Sequence, residues 1–324
     1  MPSQKQQQDR QHYVFGPVLS RRLGLSLGID LVPFKTCTFD CIYCQLGRTT
    51  NKTLQRKEYV PVDEILGDLE RYLKNIPRPD FITLSGSGEP TLHSGLRDII
   101  IGIRTITTLP VAVLTNGSLF NDKDVREACS LADVVLPSLD AGDEDTFNKI
   151  NRPAEGLTLH SLIDGLTDFW LDFGGRIWLE VFLVPSVTDN EDSVKKIARL
   201  TELFRPHWIH LNTAVRPSTE ESVKPVSDAD MKRFARFFKP EAQCVFSSKA
   251  NHVTPGVPIE KLHETLKRRP CTLTDMAGIL NVPPVEITKY IEEMMSEGKL
   301  DVIRHGENTY FSTRTTMNTD EAKE

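Results

Sequence analysis

The chain has 324 residues, with 39 Lys and Arg against 45 Asp and Glu, a formal charge of −6, and 39% hydrophobic residues. That apolar content buries a core and excludes a disordered polyampholyte, and the mild acidity argues against a protein coated in nucleic acid, although a local basic site stays open. No apolar run reaches the roughly 18 residues of a membrane span. The polar, Gln-rich start MPSQKQQQDRQ lacks the core of a secretory signal, so a cytoplasmic protein with no membrane partner is expected.

Residues 1–12 read as a disordered tail. Short runs rich in Val, Ile and Leu then mark strands at Leu27–Val32, Phe81–Leu84, Val111–Leu114, Val134–Leu136, Ile177–Val184 and Trp208–Leu211. Such runs suit strands buried on both faces. Between the first two, Val62, Ile65, Leu66, Leu69, Tyr72 and Leu73 recur at helical spacing. Similar stripes fill residues 95–106, 122–131, 157–171, 190–203 and 228–238. Six alternating units predict a parallel sheet with crossover helices, an α/β fold of the open, partial (β/α)6 TIM-like kind. A closed eight-stranded barrel needs two more units than the chain offers before about residue 240.

The pattern changes after a Pro- and Gly-bearing linker, residues 247–258 (SSKANHVTPGVP). A helix over 260–268 follows, then one over 273–280 capped by Thr272, with Asp275 close to a capping box. Pro283 and Pro284 open a third helix reaching about Glu297, and two strands flank the turn at His305–Asn308. Three helices and a hairpin over 259–313 predict a small winged helix-turn-helix domain, and residues 314–324 a second disordered tail. Its third helix sets Lys289 against Glu286, Glu292, Glu293 and Glu297, which disfavours duplex DNA. The basic run Lys267, Arg268 and Arg269 reads either as an RNA-facing edge or as a solvated helix terminus complementing the dipole. A protein or peptide partner, or a purely structural cap, is equally compatible with the module.

Of 6 cysteines, Cys37, Cys41 and Cys44 fall within eight residues, while Cys129, Cys244 and Cys271 are scattered and read as buried or incidental thiols. The segment KTCTFDCIYCQLG, residues 35–47, is C-x3-C-x2-C directly after the first expected strand. Three thiolates are one short of full ligation of a cubane iron–sulfur cluster, so one iron is left for an exogenous ligand. The alternative, a zinc knuckle built on Cys41 and Cys44, wants four ligands and finds no second pair nearby.

The motif resembles that of the radical S-adenosylmethionine (SAM) superfamily. The stretch GPVLSRRLGLSLGIDLVPFKTCTFDCIYCQLGRT, Gly16–Thr49, is similar to a group described as wybutosine-synthase-like Fe–S oxidoreductases, and the resemblance runs from about Phe15 to Pro217. It implies one 4Fe–4S cluster on Cys37, Cys41 and Cys44, with SAM on the open iron. Reductive cleavage to a 5′-deoxyadenosyl radical then abstracts hydrogen from an unidentified substrate, a modified tRNA base first and a protein or peptide second. An electron donor such as flavodoxin or ferredoxin is implied as well. Further stations fall at strand ends in the family's order: Gly88 and Glu89 in Ser85–Pro90, with a carbonyl or Glu89 as acceptor for the SAM ammonium; Thr115 and Asn116; Ser138 and Asp140, facing the ribose; and Asn151-Arg152-Pro153, with Arg152 facing the SAM carboxylate. Tyr43 suits an adenine neighbour. Without the resemblance, these segments also read as a Gly-rich turn, an Asn-Gly turn, a helix cap and a surface arginine.

For substrate chemistry the candidates are Glu180, which shares a strand face with Trp178 and Phe182, and Arg216 at the end of the sixth strand; Arg21 and Arg22 are candidates for an anionic ligand. True wybutosine synthases carry extra N-terminal cysteines for a second cluster, and none precedes Cys37 here. The rival reading is a non-catalytic Fe–S redox sensor acting through the winged helix.

Overall fold

The computed structural model describes residues 12–76, 78–215, 218, 220, 222–245, 259–280, 287–288, 290–291, 294–295, 297–305 and 308–313. In chain order these form β1 (Val14–Ser20), β2 (Gly24–Ile29), the short β3 (Thr36–Cys37) and β4 (Asn51–Lys52), α1 (Val62–Leu73), β5 (Phe81–Leu84), α2 (Leu96–Ile106), β6 (Val111–Thr115), α3 (Lys123–Cys129), β7 (Val134–Pro137), α4 (Glu144–Asn151), α5 (Leu159–Asp172), β8 (Arg176–Leu183), α6 (Glu191–Thr201), β9 (Trp208–Thr213), α7 (Asp228–Ala235) and β10 (Gln243–Cys244). One sheet takes the order β1-β2-β5-β6-β7-β8-β9-β10. β1 runs antiparallel to β2, and the other pairings are parallel. β1 and β10 stand at opposite ends of the order, so the sheet is open.

All six expected strands occur, and β1, β3, β4 and β10 add to them. β2 begins and ends three residues earlier than expected, because Leu31 and Val32 are buried in a loop rather than in the sheet. β1 was not expected: its pattern is broken by Gly16-Pro17, where the register shifts between Phe15 and Val18. The side chain of Asp68 on α1 holds β1 by accepting the Tyr13 and Val14 amides at 2.9 and 3.1 Å.

One sheet face packs on the helices. Leu27, Ile29, Ile82, Leu84, Leu179 and Val181 share a core with Ile65, Leu69, Ile99, Leu166 and Ile197. Each such side chain contributes roughly 1.5–3 kcal/mol by leaving water. The helix starts are fixed by Asp122, Asp143, Thr158, Asn190 and Ser227, whose side chains accept backbone amides of α3 to α7. Each cap is worth about 1 kcal/mol. The opposite face is apolar at Ala112, Val134, Leu136 and Trp178 and polar at Ser26, Thr83 and Glu180, so a polar chamber opens above an apolar floor.

Two further helices, α8 (Ile259–Arg268) and α9 (Leu273–Leu280), and the hairpin β11 (Leu300–His305) and β12 (Asn308–Thr313) enclose a separate core of Leu262, Leu266, Met276, Ile279 and Phe311. Thr272 and Asp275 cap α9 reciprocally, at 3.0 and 3.1 Å. The expected linker, both tails apart from His12, and the Pro283-Pro284 start of the third helix lie outside the described residues.

This C-terminal unit is strapped to the sheet. Arg268 pairs with Asp30, donates to Glu264 at 2.9 Å, and sits 4.7 Å over the Phe15 ring. His305 Nε2 lies 2.9 Å from the Ala214 carbonyl, and the Tyr310 hydroxyl donates to the Val215 carbonyl. A solvated terminus for the basic run is therefore corrected at Arg268, whose side chain is 9% exposed.

Candidate active site

The cysteine loop leaves β2 and is closed by β3 pairing with β4. Lys35 opens it at φ 60°, the left-handed region. Each cysteine sulfur faces an N–H donor. Cys44 Sγ receives Lys35 Nζ at 3.2 Å, Cys41 Sγ receives Asn151 Nδ2 at 3.5 Å, and Cys37 Sγ receives the Phe39 amide at 3.5 Å and Asn116 Nδ2 at 3.6 Å. Burial, then the nearby Glu89, push the Cys37 thiol up to about 12, and burial pushes Cys41 up as well. Among the described residues no three His, Cys, Asp or Glu converge on a single ion. A cubane gives each thiolate its own iron corner. The donor set therefore fits a cluster: three thiols, each met by an N–H, in a loop held by its own backbone.

Gly88 and Glu89 brace this loop from behind. A Cβ on Gly88 would lie 1.9 Å from the Thr36 carbonyl oxygen, so only glycine lets the two segments touch. Glu89 is buried and its carboxylate is already engaged. Oε1 accepts from Thr91 and from the Thr115 hydroxyl at 2.6 Å, and Oε2 from the Asn116 amide at 2.8 Å. These bonds tie the ends of β5 and β6 together, and Oε2 accepts just one of them among the described residues. Arg152, in the left-handed conformation after α4, donates to Glu220 at 2.5 Å and lies 4.0 Å from Asp40. Its guanidinium faces two protein carboxylates rather than an open ligand site.

Cys44, Tyr43, Ser138, Asp140 and Glu180 line one cavity of about 380 Å³; Gly88, Glu89, Thr115, Asn116 and Arg152 do not. Arg216 lies outside the described residues. Tyr43 stacks on Phe182, with centroids 4.0 Å apart and planes 12° from parallel, and its hydroxyl donates to Asp140. Asp140 is a hub rather than a helix cap, since Asp143 caps α4. It also accepts Asn151 Nδ2 at 3.0 Å and the Phe182 amide at 2.8 Å. These hydrogen bonds lower its carboxyl, but burial outweighs them and raises it. Across the cavity Glu180 pairs with Arg22 and accepts Asn212 Nδ2 at 3.3 Å. The expected partner for a charge inside a strand is thus present. Beside Glu180 in the β8–β9 register, His210 is held neutral: burial and then Arg22 press its imidazole down to about 4.

Residue-level reading missed Lys35, Asn151 and Phe182. The first two stand inside motifs already singled out, and the N–H they offer to sulfur is the signal that finds them. Cys129 and Cys271 are fully buried and Cys244 half-buried, as expected of incidental thiols.

A family model described as the radical SAM superfamily matches residues 31–197, just over half of the chain. A protein of Brachyspira hyodysenteriae named GTPase Obg is 37% identical over 294 residues, 89% of this chain, but the match spans only 43% of that longer protein. A UPF0026 protein of Helicobacter pylori is 30% identical over 306 residues, 92% of this chain and 96% of its own length. Among solved structures, a radical SAM methyltransferase from Sphaerobacter thermophilus superposes with a TM-score of 0.52 at 16% identity, over 69% of this chain and 67% of that one, a likeness of fold. No helix among the described residues is long and apolar enough to cross a membrane. The chain belongs to the radical SAM superfamily, whose members use a 4Fe–4S cluster and S-adenosylmethionine.

Proposed function

We propose that the chain is a radical SAM enzyme, a partial (β/α)6 barrel with a C-terminal winged helix-turn-helix, in which Cys37, Cys41 and Cys44 hold one 4Fe–4S cluster. When bound and reduced, the cofactor pair supplies a 5′-deoxyadenosyl radical for hydrogen abstraction. The chain's own residues prepare the surroundings. Asn116, Asn151 and Lys35 place N–H groups on the thiolates, which orients them and tunes the cluster. Tyr43, clamped by Phe182 and Asp140, offers a flat wall for an adenine, and Ser138 a hydroxyl for a ribose. Glu180, steadied by Arg22 and Asn212, is the carboxylate placed to accept a hydrogen bond or a proton from substrate. The substrate reading is a modified RNA base first and a protein or peptide second, with a flavodoxin or ferredoxin as electron donor.

The observation that carries this reading is Cys44 in the wall of a ligand-sized cavity, with every cysteine sulfur met by an N–H donor. A redox sensor needs no such chamber. The test is anaerobic reconstitution, then dithionite and SAM. The wild type accumulates 5′-deoxyadenosine, and Cys41→Ala forms none; a chromophoric wild type that never cleaves SAM refutes the proposal.

A further inference from the structure

Four arginines line the cavity beside Cys44, two from the turn between β1 and β2 and two from the end of α8: Arg21, Arg22, Arg268 and Arg269. Three of them are engaged. Arg268 is fixed by Asp30 and Glu264, Arg22 pairs with Glu180, and Arg21 Nη1 donates to the Val245 carbonyl at 2.9 Å. Arg269 differs. Its Nε and Nη2 are buried, and neither has a hydrogen-bond partner among the described residues. Its backbone amide is satisfied by the Thr265 carbonyl at 3.0 Å, so the unmet need is confined to the guanidinium.

A guanidinium cannot shed its proton to escape burial. Leaving two of its nitrogens buried and without a partner is costly unless a ligand completes them. Among the described residues the wall has two carboxylates, Asp140 and Glu180, and both already have protein partners. SAM would add a sulfonium and deepen the excess of positive charge. The planar fork of an arginine matches a phosphate or a carboxylate.

We infer that Arg269 receives an anionic oxygen group of the substrate, a phosphate or a carboxylate, so that the C-terminal unit forms one wall of the substrate site. The inference rests on reading this cavity as the reaction chamber. Arg269 is a binding residue in this scheme and transfers nothing.

The test uses the full chain, purified anaerobically, with the unfolding temperature followed at constant ionic strength held by sodium chloride. One arm titrates inorganic phosphate and the other succinate. The wild type gains a saturable rise in Tm from at least one of them; a response to phosphate alone identifies a phosphoryl group, and to succinate alone a carboxylate. R269Q weakens the apparent Kd of the responding anion by at least about tenfold, the loss of a charge-assisted pair. R304Q, which removes an exposed arginine on β11, keeps the wild-type response. In chloride alone R269Q unfolds at or above the wild-type temperature, because no described residue loses a side-chain partner. The inference is overturned if neither anion stabilises the wild type saturably, if R269Q responds as the wild type does, or if R269Q unfolds early in chloride alone. 5′-Deoxyadenosine formation by the wild type is measured on the same preparation. SAM cleavage without an anion response overturns this site alone, and an anion response without SAM cleavage overturns the enzymatic reading alone.

Discussion

The two walls of the cavity are built on different principles. On the cysteine side, a short loop and three strand ends satisfy one another. Glu89 has Thr91, Thr115 and Asn116, and Asp140 has Tyr43, Asn151 and Phe182. On the arginine side the parts come from distant stretches of chain, with Arg22 meeting Glu180 and Arg268 meeting Asp30, and positive charge is left over. The lesson is that the half which must hold a reactive centre is over-determined, whereas the half which must accept a changing ligand is held by a few long-range struts.

Four measurements break or sharpen that contrast. The largest effect is expected from Arg268→Met, which leaves Asp30 buried without its cation. Burial raises the Asp30 carboxyl and Arg268 counters it. Removing one partner of such a pair costs about 3–5 kcal/mol, and Asp30→Asn in the same chain recovers most of it. Urea denaturation reads both; a loss within noise would mean the strut carries little.

Next comes the acid limb of stability. His210 titrates near 4 when folded and near 6.5 when unfolded, so between those values the unfolded chain holds the extra proton. The contribution is complete above about pH 6.5 and is lost as pH falls toward 4, by up to about 3 kcal/mol. His210→Gln flattens this limb in denaturation curves taken across that range; an unchanged slope would remove His210 from the account.

A smaller loss, about 2 kcal/mol, is expected from Asp140→Asn, which exchanges an acceptor for a donor among three groups that all donate. If this loss exceeded that of Arg268→Met, the ranking of the two walls would be reversed. Finest of all is Asn151→Leu, which removes the side-chain amide that Cys41 and Asp140 share. The midpoint potential of the reconstituted cluster then moves to more negative values in an EPR redox titration, with the fold intact.

The same contrast explains what could be read from the sequence. Parallel strands announce themselves because both faces are buried, so Val111–Thr115 and Arg176–Leu183 stand out as apolar runs. β1 does not, since Gly16-Pro17 interrupts it and its partner runs antiparallel. The cysteine loop is legible because its ligands are packed into eight residues, and spacing alone carries the chemistry. Glu89 is not: a carboxylate after a Gly-rich turn looks the same whether it meets a ligand or Thr115, 26 residues away. Arg268 and Asp30 are separated by 238 residues, and no local pattern announces such a meeting. Arg269, in the same basic run, looks solvated until the fold shows which of its nitrogens are shut away from water.

Lys35 gives the loop one more property. A non-glycine residue at φ 60° sits about 1–2 kcal/mol above its relaxed backbone. Glycine there would ease the turn and remove the ammonium that stands 3.2 Å from Cys44. The most relaxed backbone for this loop is therefore not the one that best shields a thiolate. Because Lys35 is 3% exposed, Lys35→Gly relieves the turn but deletes a buried side chain and frees the unfolded chain, so the melting point is expected to fall along with the hold on iron.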